Sequence, residues 1–163
     1  MALFERIFSD MGAAIAAVIT DMDGSGTLLR SISLENGLLL QLMDRSRRIA
    51  ADRWHIRIKA FIDISVQDAL RNTRSYDQKE EIENVLGKQV LYEKEMIRNF
   101  IDEKEKQAVI NQVCSSFLEN AMTYLSRQHF AERFVLRQYK EMLEKKRIEN
   151  LLQKGVTSGD PSE

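Results

Sequence analysis

Between Arg53 and Val66 the chain alternates: Trp54, Ile56, Ile58, Ala60, Ile62, Ile64 and Val66 take every second position, with mostly polar residues between them. Successive side chains of an extended chain point to opposite faces, so this spacing builds one isoleucine-rich face and one wetted face. Trp54, Ile58, Phe61, Ile62, Val66 and Leu70 also fit one side of a helix, so periodicity alone leaves both forms open. The upstream sequence tips the balance to strand. Asn36-Gly37 lies between two apolar runs, and this dipeptide suits a type I′ turn, whose two central residues need positive φ. A hairpin there pairs 27–34 with 38–43, and the polar connection 45–52 leads to the alternating segment. The expectation is a three-stranded antiparallel β-meander across 27–66.

A small sheet with one isoleucine-rich face needs a second layer to cover it. Phe4, Ile7, Phe8, Met11, Ile15, Val18 and Ile19 recur at helical spacing, which predicts an amphipathic N-terminal helix over 3–20, ended by the aspartates and glycines of 21–26. From Asp77 onward the chain reads as helical. Asp77 and Glu80 form one N-terminal cap pattern, Gly87 ends or kinks that segment, and Asp102 and Glu105 repeat the pattern. Ile110, Val113, Phe117, Leu118, Ala121 and Leu125 then recur at helical spacing, and a last helix covers about 130–153. The one proline, Pro161, and seven glycines leave few breakers to interrupt these helices. The predicted fold is α+β: an N-terminal helix, a three-stranded antiparallel meander, and three to four packed α-helices. It forms one domain over 1–154 with a disordered tail at 155–163.

Several classes of function are removed by composition. Cys114 is the sole cysteine and there are two histidines, so neither an internal disulfide nor a zinc site can be built. The apolar run 11–19 is preceded by Glu5 and Asp10, where a signal peptide would carry positive charge, and it is too short to span a bilayer. The expected location is cytoplasmic, with no membrane role. The net charge of −1 names no partner.

The string Asp21-Met-Asp-Gly-Ser-Gly-Thr-Leu resembles the EF-hand calcium loop. Asp21, Asp23 and Ser25 match its first three ligand positions, Gly26 its glycine, and Thr27 its carbonyl ligand. That resemblance implies calcium as a cofactor at the loop 21–32, although Ile32 stands where the loop has its bidentate acid. The same residues resemble the first motif of haloacid-dehalogenase-type phosphatases, with Asp21 as nucleophile and Asp23 as general acid/base. Ser25 and Gly26 interrupt that motif before Thr27. The segment 45–59 is basic: Arg45, Arg47, Arg48, Arg53, Arg57 and Lys59 stand against Asp52 alone. Arginines on a hairpin can contact phosphates, so Arg45, Arg47, Arg48 and Arg53 form a candidate nucleic-acid or anion-binding site. Alternation puts Trp54 on the isoleucine face, away from the arginines, which favours a core role over base stacking. His55 and His129 lack helical ligand companions, and Cys114 falls on an apolar helix face as an inert thiol.

No catalytic constellation emerges. The leading functional expectation is a non-enzymatic protein-interaction or assembly module, with a homodimer as its simplest form. The alternative is nucleic-acid or acidic-partner binding through the basic hairpin, and calcium binding comes third.

Overall fold

A computed structural model describes residues 26–72 and 76–156. The alternating segment is strand β4, Arg53–Ser65. Ile56, Ile58, Ala60, Ile62 and Ile64 are each at most 1% exposed, so one full face of the strand is core. Each isoleucine buried this completely contributes roughly 1.5–3 kcal/mol over its exposed state. β4 is also the hub of the sheet. Strands β1 (Thr27–Ser33) and β2 (Leu39–Asp44) form a hairpin, and β2 pairs with β4 antiparallel through Gln41–Phe61 and Asp44–Ile58. β1, β2 and β4 lie side by side, but the sheet is not the expected three-stranded meander: among the described residues it has five strands.

The two additional strands fall where the sequence reads as connection and helix. Within the polar stretch 45–52, β3 (Arg47–Ala50) doubles back on the start of β4, with Arg47 opposite His55 and Arg48 opposite Trp54. More consequentially, the chain is not helical throughout from Asp77. Strand β5, Gln89–Asp102, runs antiparallel along β4 from Ser65 to Arg53. Val90, Tyr92 and Met96 stand opposite Ile64, Ile62 and Ile58 and pack against the core. Glutamate and lysine between them are good helix formers, and the cross-strand isoleucines override that weak preference.

The hairpin turn also differs from expectation. Asn36 keeps a negative φ, because Phe100 is the only non-glycine among the described residues with a positive one. Gly37 donates to Leu34 O at 2.9 Å, Leu34 donates to Leu38 O at 2.8 Å, and Gly37 sits at φ +84°. This is a three-residue loop, a type I turn followed by a left-handed glycine, not a two-residue type I′ turn. Its geometry frees the Asn36 amide for a distant task. Asn36 Nδ2 donates to Leu125 O at 2.7 Å and Arg127 O at 3.0 Å, while its Oδ1 accepts from Leu38 N at 3.2 Å.

Among the described residues four helices form the covering layer. A single turn, α1 (Val66–Ala69), continues from β4, with Ser65 Oγ accepting from Asp68 N. Helix α2 (Tyr76–Leu86) ends at Gly87, whose φ of +84° turns the chain into β5. Helix α3 (Lys106–Leu125) packs on β4 and β5 through Ile110, Val113 and Cys114. Helix α4 (Phe130–Val156) docks on α1 and α2, and its Phe130, Phe134 and Val135 join the core. Tyr92 meets Phe130 and Phe134 edge-on, tying β5 to the start of α4. The expected N-terminal helix lies outside the described residues, as does the tail beyond Val156.

Candidate functional site

The two faces of the sheet carry different chemistry. Opposed residues of antiparallel strands share a face, so Arg53, Arg57 and Lys59 look out on the side away from the core isoleucines, beside their β5 partners. There they meet acids. Arg53 Nη1 lies 2.9 Å from Asp102 and Arg57 Nε 2.5 Å from Glu95, while Lys59 Nζ is 2.5 Å from Glu93. Arg48 pairs with Glu103, and Arg53 also reaches Asp52 at 3.7 Å. The acids of β5 and of the turn after it are thus laid against the basic segment 45–59, one strand beside the other. Exposed pairs of this kind contribute at most about 1 kcal/mol each. Their larger effect is to fix which groups face which across β4 and β5.

This ladder places the four candidate arginines in different settings. Arg48 and Arg53 are paired with acids. Arg45 is half-buried between β2 and β3, its backbone N–H donating to Arg57 O at 2.8 Å. Arg47 is exposed and has no acidic partner among the described residues. The structure does not gather them into one open cluster. Trp54 is turned toward the core, with Lys106 Nζ 3.5 Å from the ring centroid and the Arg48 guanidinium 5.4 Å away. Those cations occupy the indole that a base would need for stacking.

Asp102 links this ladder to the next turn. Its Oδ1 accepts from the Lys104 backbone N–H at 2.9 Å and its Oδ2 from Arg53. The backbone bond from Lys104 holds its carboxyl below the ordinary value of 3.8; burial pulls it upward, and the charge and hydrogen bond of Arg53 add to the lowering. Two residues earlier β5 bulges opposite the step from Trp54 to Ile56. Phe100 occupies this irregularity at φ +56° and is 75% exposed. A bulky residue in that backbone region carries strain of about 1 kcal/mol or more.

Of the calcium-loop residues, Asp21, Asp23 and Ser25 lie outside the described residues. Thr27 opens β1, opposite Asp44, and Ile32 packs on the core from the same strand. The second half of the EF-hand-like loop is therefore a β-strand. Among the described residues no group of three or more acids, histidines or cysteines could hold a metal ion. His55 Nδ1 contacts Asn99 Oδ1 at 2.6 Å, and His129 Nδ1 lies 3.5 Å from Glu132. Cys114 is 2% exposed and burial pushes its thiol pKa up, which disfavours the reactive thiolate.

The most conspicuous exposed apolar surface belongs to α4. Tyr139 is its last anchor, its hydroxyl donating to Glu81 Oε1 of α2 at 2.6 Å. From Lys140 to Gln153 every residue is exposed. Met142 and Leu143 continue the line of Val135 and Tyr139 at helical spacing. Ile148, Leu151 and Leu152, 50–66% exposed, form a second strip at i, i+3 and i+4 on the opposite side of the helix. Helical spacing in the sequence predicts this last helix over about 130–153. Where its cover ends depends on the length of α2 and the position of Tyr139, which local pattern does not reveal.

No helix among the described residues is long and apolar enough to cross a membrane. Comparison with protein-family models, curated proteins and solved structures finds no match to the chain.

Proposed function

We propose that this protein is a non-enzymatic assembly module that self-associates through the distal half of α4. The observation that carries the reading is the uncovered run of α4 beyond Tyr139, where Ile148, Leu151 and Leu152 make a compact apolar strip on a helix otherwise laced with charge. The exposed run 140–153 is about 21 Å long at 1.5 Å per residue, and one helix of that length buries less than a standard interface against another. Association is accordingly expected to be reversible and concentration-dependent. The Arg137–Glu141 and Glu144–Arg147 pairs lie one to three turns toward the start of the helix, and Arg137, Glu141 and Glu144 share the side of Ile148, so the apolar strip begins where this charged run ends.

Binding of nucleic acid or an acidic partner through the basic hairpin has weaker support, because Arg48, Arg53, Arg57 and Lys59 already face carboxylates. One experiment separates the two. Protein purified at low salt is measured for its 260/280 nm absorbance ratio and its light-scattering mass, then measured again after a high-salt wash. Self-association predicts a clean ratio and a mass above the 18.9 kDa monomer that survives salt. A raised ratio that collapses in salt would transfer the function to the hairpin.

A further inference from the structure

At the corner between α3 and α4 lies an open hollow of about 270 Å³, lined by Tyr124, Arg127, Gln128, His129, Phe130 and Arg133. No acid lines it. Two arginines and a histidine thus line one hollow beside two aromatic residues. Arg127 leans over the Tyr124 ring at 6.0 Å, and Tyr124 in turn stands edge-on to Phe130 at 5.2 Å. Phe130 is 2% exposed and Tyr124 44%, so one ring is anchored in the core and the other is open to solvent. Neither Arg127 nor Arg133 has an acidic partner among the described residues. This contrasts with Arg48, Arg53, Arg57 and Lys59, each of which faces a carboxylate.

The corner is held in place from outside. Asn36, from the β1–β2 turn, donates to both Leu125 O and Arg127 O, which fixes the backbone on which Arg127 sits. Arg133 N donates to His129 O at 3.1 Å, setting His129 and Arg133 one helical turn apart. The acid nearest in sequence, Glu132, reaches His129 at 3.5 Å but does not line the hollow. Fixed backbone, two guanidinium forks and an exposed ring are the parts that recognise an oxyanion carried on a flat apolar body.

We infer that this hollow binds a small organic oxyanion, a phosphate or carboxylate, with its charged end at Arg127 and Arg133 and its apolar body against the apolar part of the lining. The site is independent of the distal α4 surface, since its residues lie at the other end of that helix.

Isothermal titration of the full chain with phenyl phosphate, benzoate and neutral benzyl alcohol tests the inference. The expected result is saturable binding of at least one anion and none of the alcohol. The tighter anion, phosphate or carboxylate, identifies which group the site takes. An Arg127→Gln/Arg133→Gln double variant should weaken binding roughly tenfold or more, while Arg71→Gln, outside the hollow, should leave it unchanged. Should the double variant fail to fold, competition by inorganic phosphate or acetate on the unaltered protein provides the second readout. Equal binding of the alcohol, affinity unchanged in the folded double variant, no displacement by either small anion, or no heat with either aromatic anion up to about 10 mM would overturn the inference.

Discussion

Replacing Asn36 should loosen the joint between hairpin and helices, and the size of the loss follows from its three hydrogen bonds. The bond to Leu125 O is partly buried, the one to Arg127 O is exposed, and the acceptor role toward Leu38 N is partly buried. A net 0.5–1.5 kcal/mol per bond, with the exposed one at the low end, gives about 2–3 kcal/mol for Asn36→Ala. That is a large fraction of the roughly 5–15 kcal/mol that holds a typical domain folded. Asn36→Asp makes the sharper test. It keeps the oxygen that serves Leu38 N, replaces the donor with a second oxygen, and sets a carboxylate against two carbonyl oxygens. If Asn36 acts as the clamp, the aspartate variant is at least as destabilised as alanine at neutral pH. Its deficit then shrinks as pH falls and the new carboxyl protonates, because the neutral acid can donate one of the lost bonds. Urea titration followed by circular dichroism, at pH 7 and at pH 4, measures both quantities. An aspartate variant as stable as wild type at pH 7 would refute the reasoning, since it would mean that only the turn, and not the clamp, matters.

Three further outcomes follow from the same geometry. Phe100→Gly should leave stability unchanged or raise it by up to about 1 kcal/mol in a denaturant titration, because it relieves the left-handed strain and the ring is mostly exposed; a clear loss would show that the ring makes contacts worth more than the strain. The carboxyl of Asp102 has a folded pKa held below 3.8, so its contribution is fully present above that value and is lost as pH falls through the depressed folded value. Asp102→Asn should therefore be less stable than wild type at neutral pH, with the gap closing in acid; a gap constant with pH would contradict the assignment. Cys114 should resist a thiol reagent under native conditions and react fully in denaturant, and fast native labelling would mean that α3 opens away from β4 and β5.

How far the sequence could be read depended on how local each signal was. The isoleucines of β4 declare their strand because they fall on alternate positions and all are buried, and Ile110, Val113 and Leu125 declare α3 by their helical spacing. β5 was illegible for the opposite reason. Its Glu93, Lys94 and Glu95 favour helix locally, and only the partners across the ladder, Phe61, Ala60 and Lys59, make it a strand. The Asn-Gly dipeptide announced a turn correctly but not its type, and the bond from Asn36 to Leu125, 89 residues along the chain, is a contact no local pattern contains. The basic segment 45–59 was equally visible, and its neutralisation by Glu93, Glu95, Asp102 and Glu103 followed from the strand that was missed. The hollow at the α3–α4 corner joins Arg127, His129 and Arg133, close in sequence yet lacking any familiar motif.

Sedimentation of the full chain over a wide concentration range, beside a Leu151→Glu/Leu152→Glu variant, tests the assembly reading most directly. Wild type should pass from the 18.9 kDa monomer to a multiple of that mass as concentration rises. The variant should stay monomeric with an unchanged circular dichroism spectrum. A wild-type protein that remains monomeric throughout, or a folded variant that associates equally well, would contradict the claim that the distal half of α4 is the self-association surface.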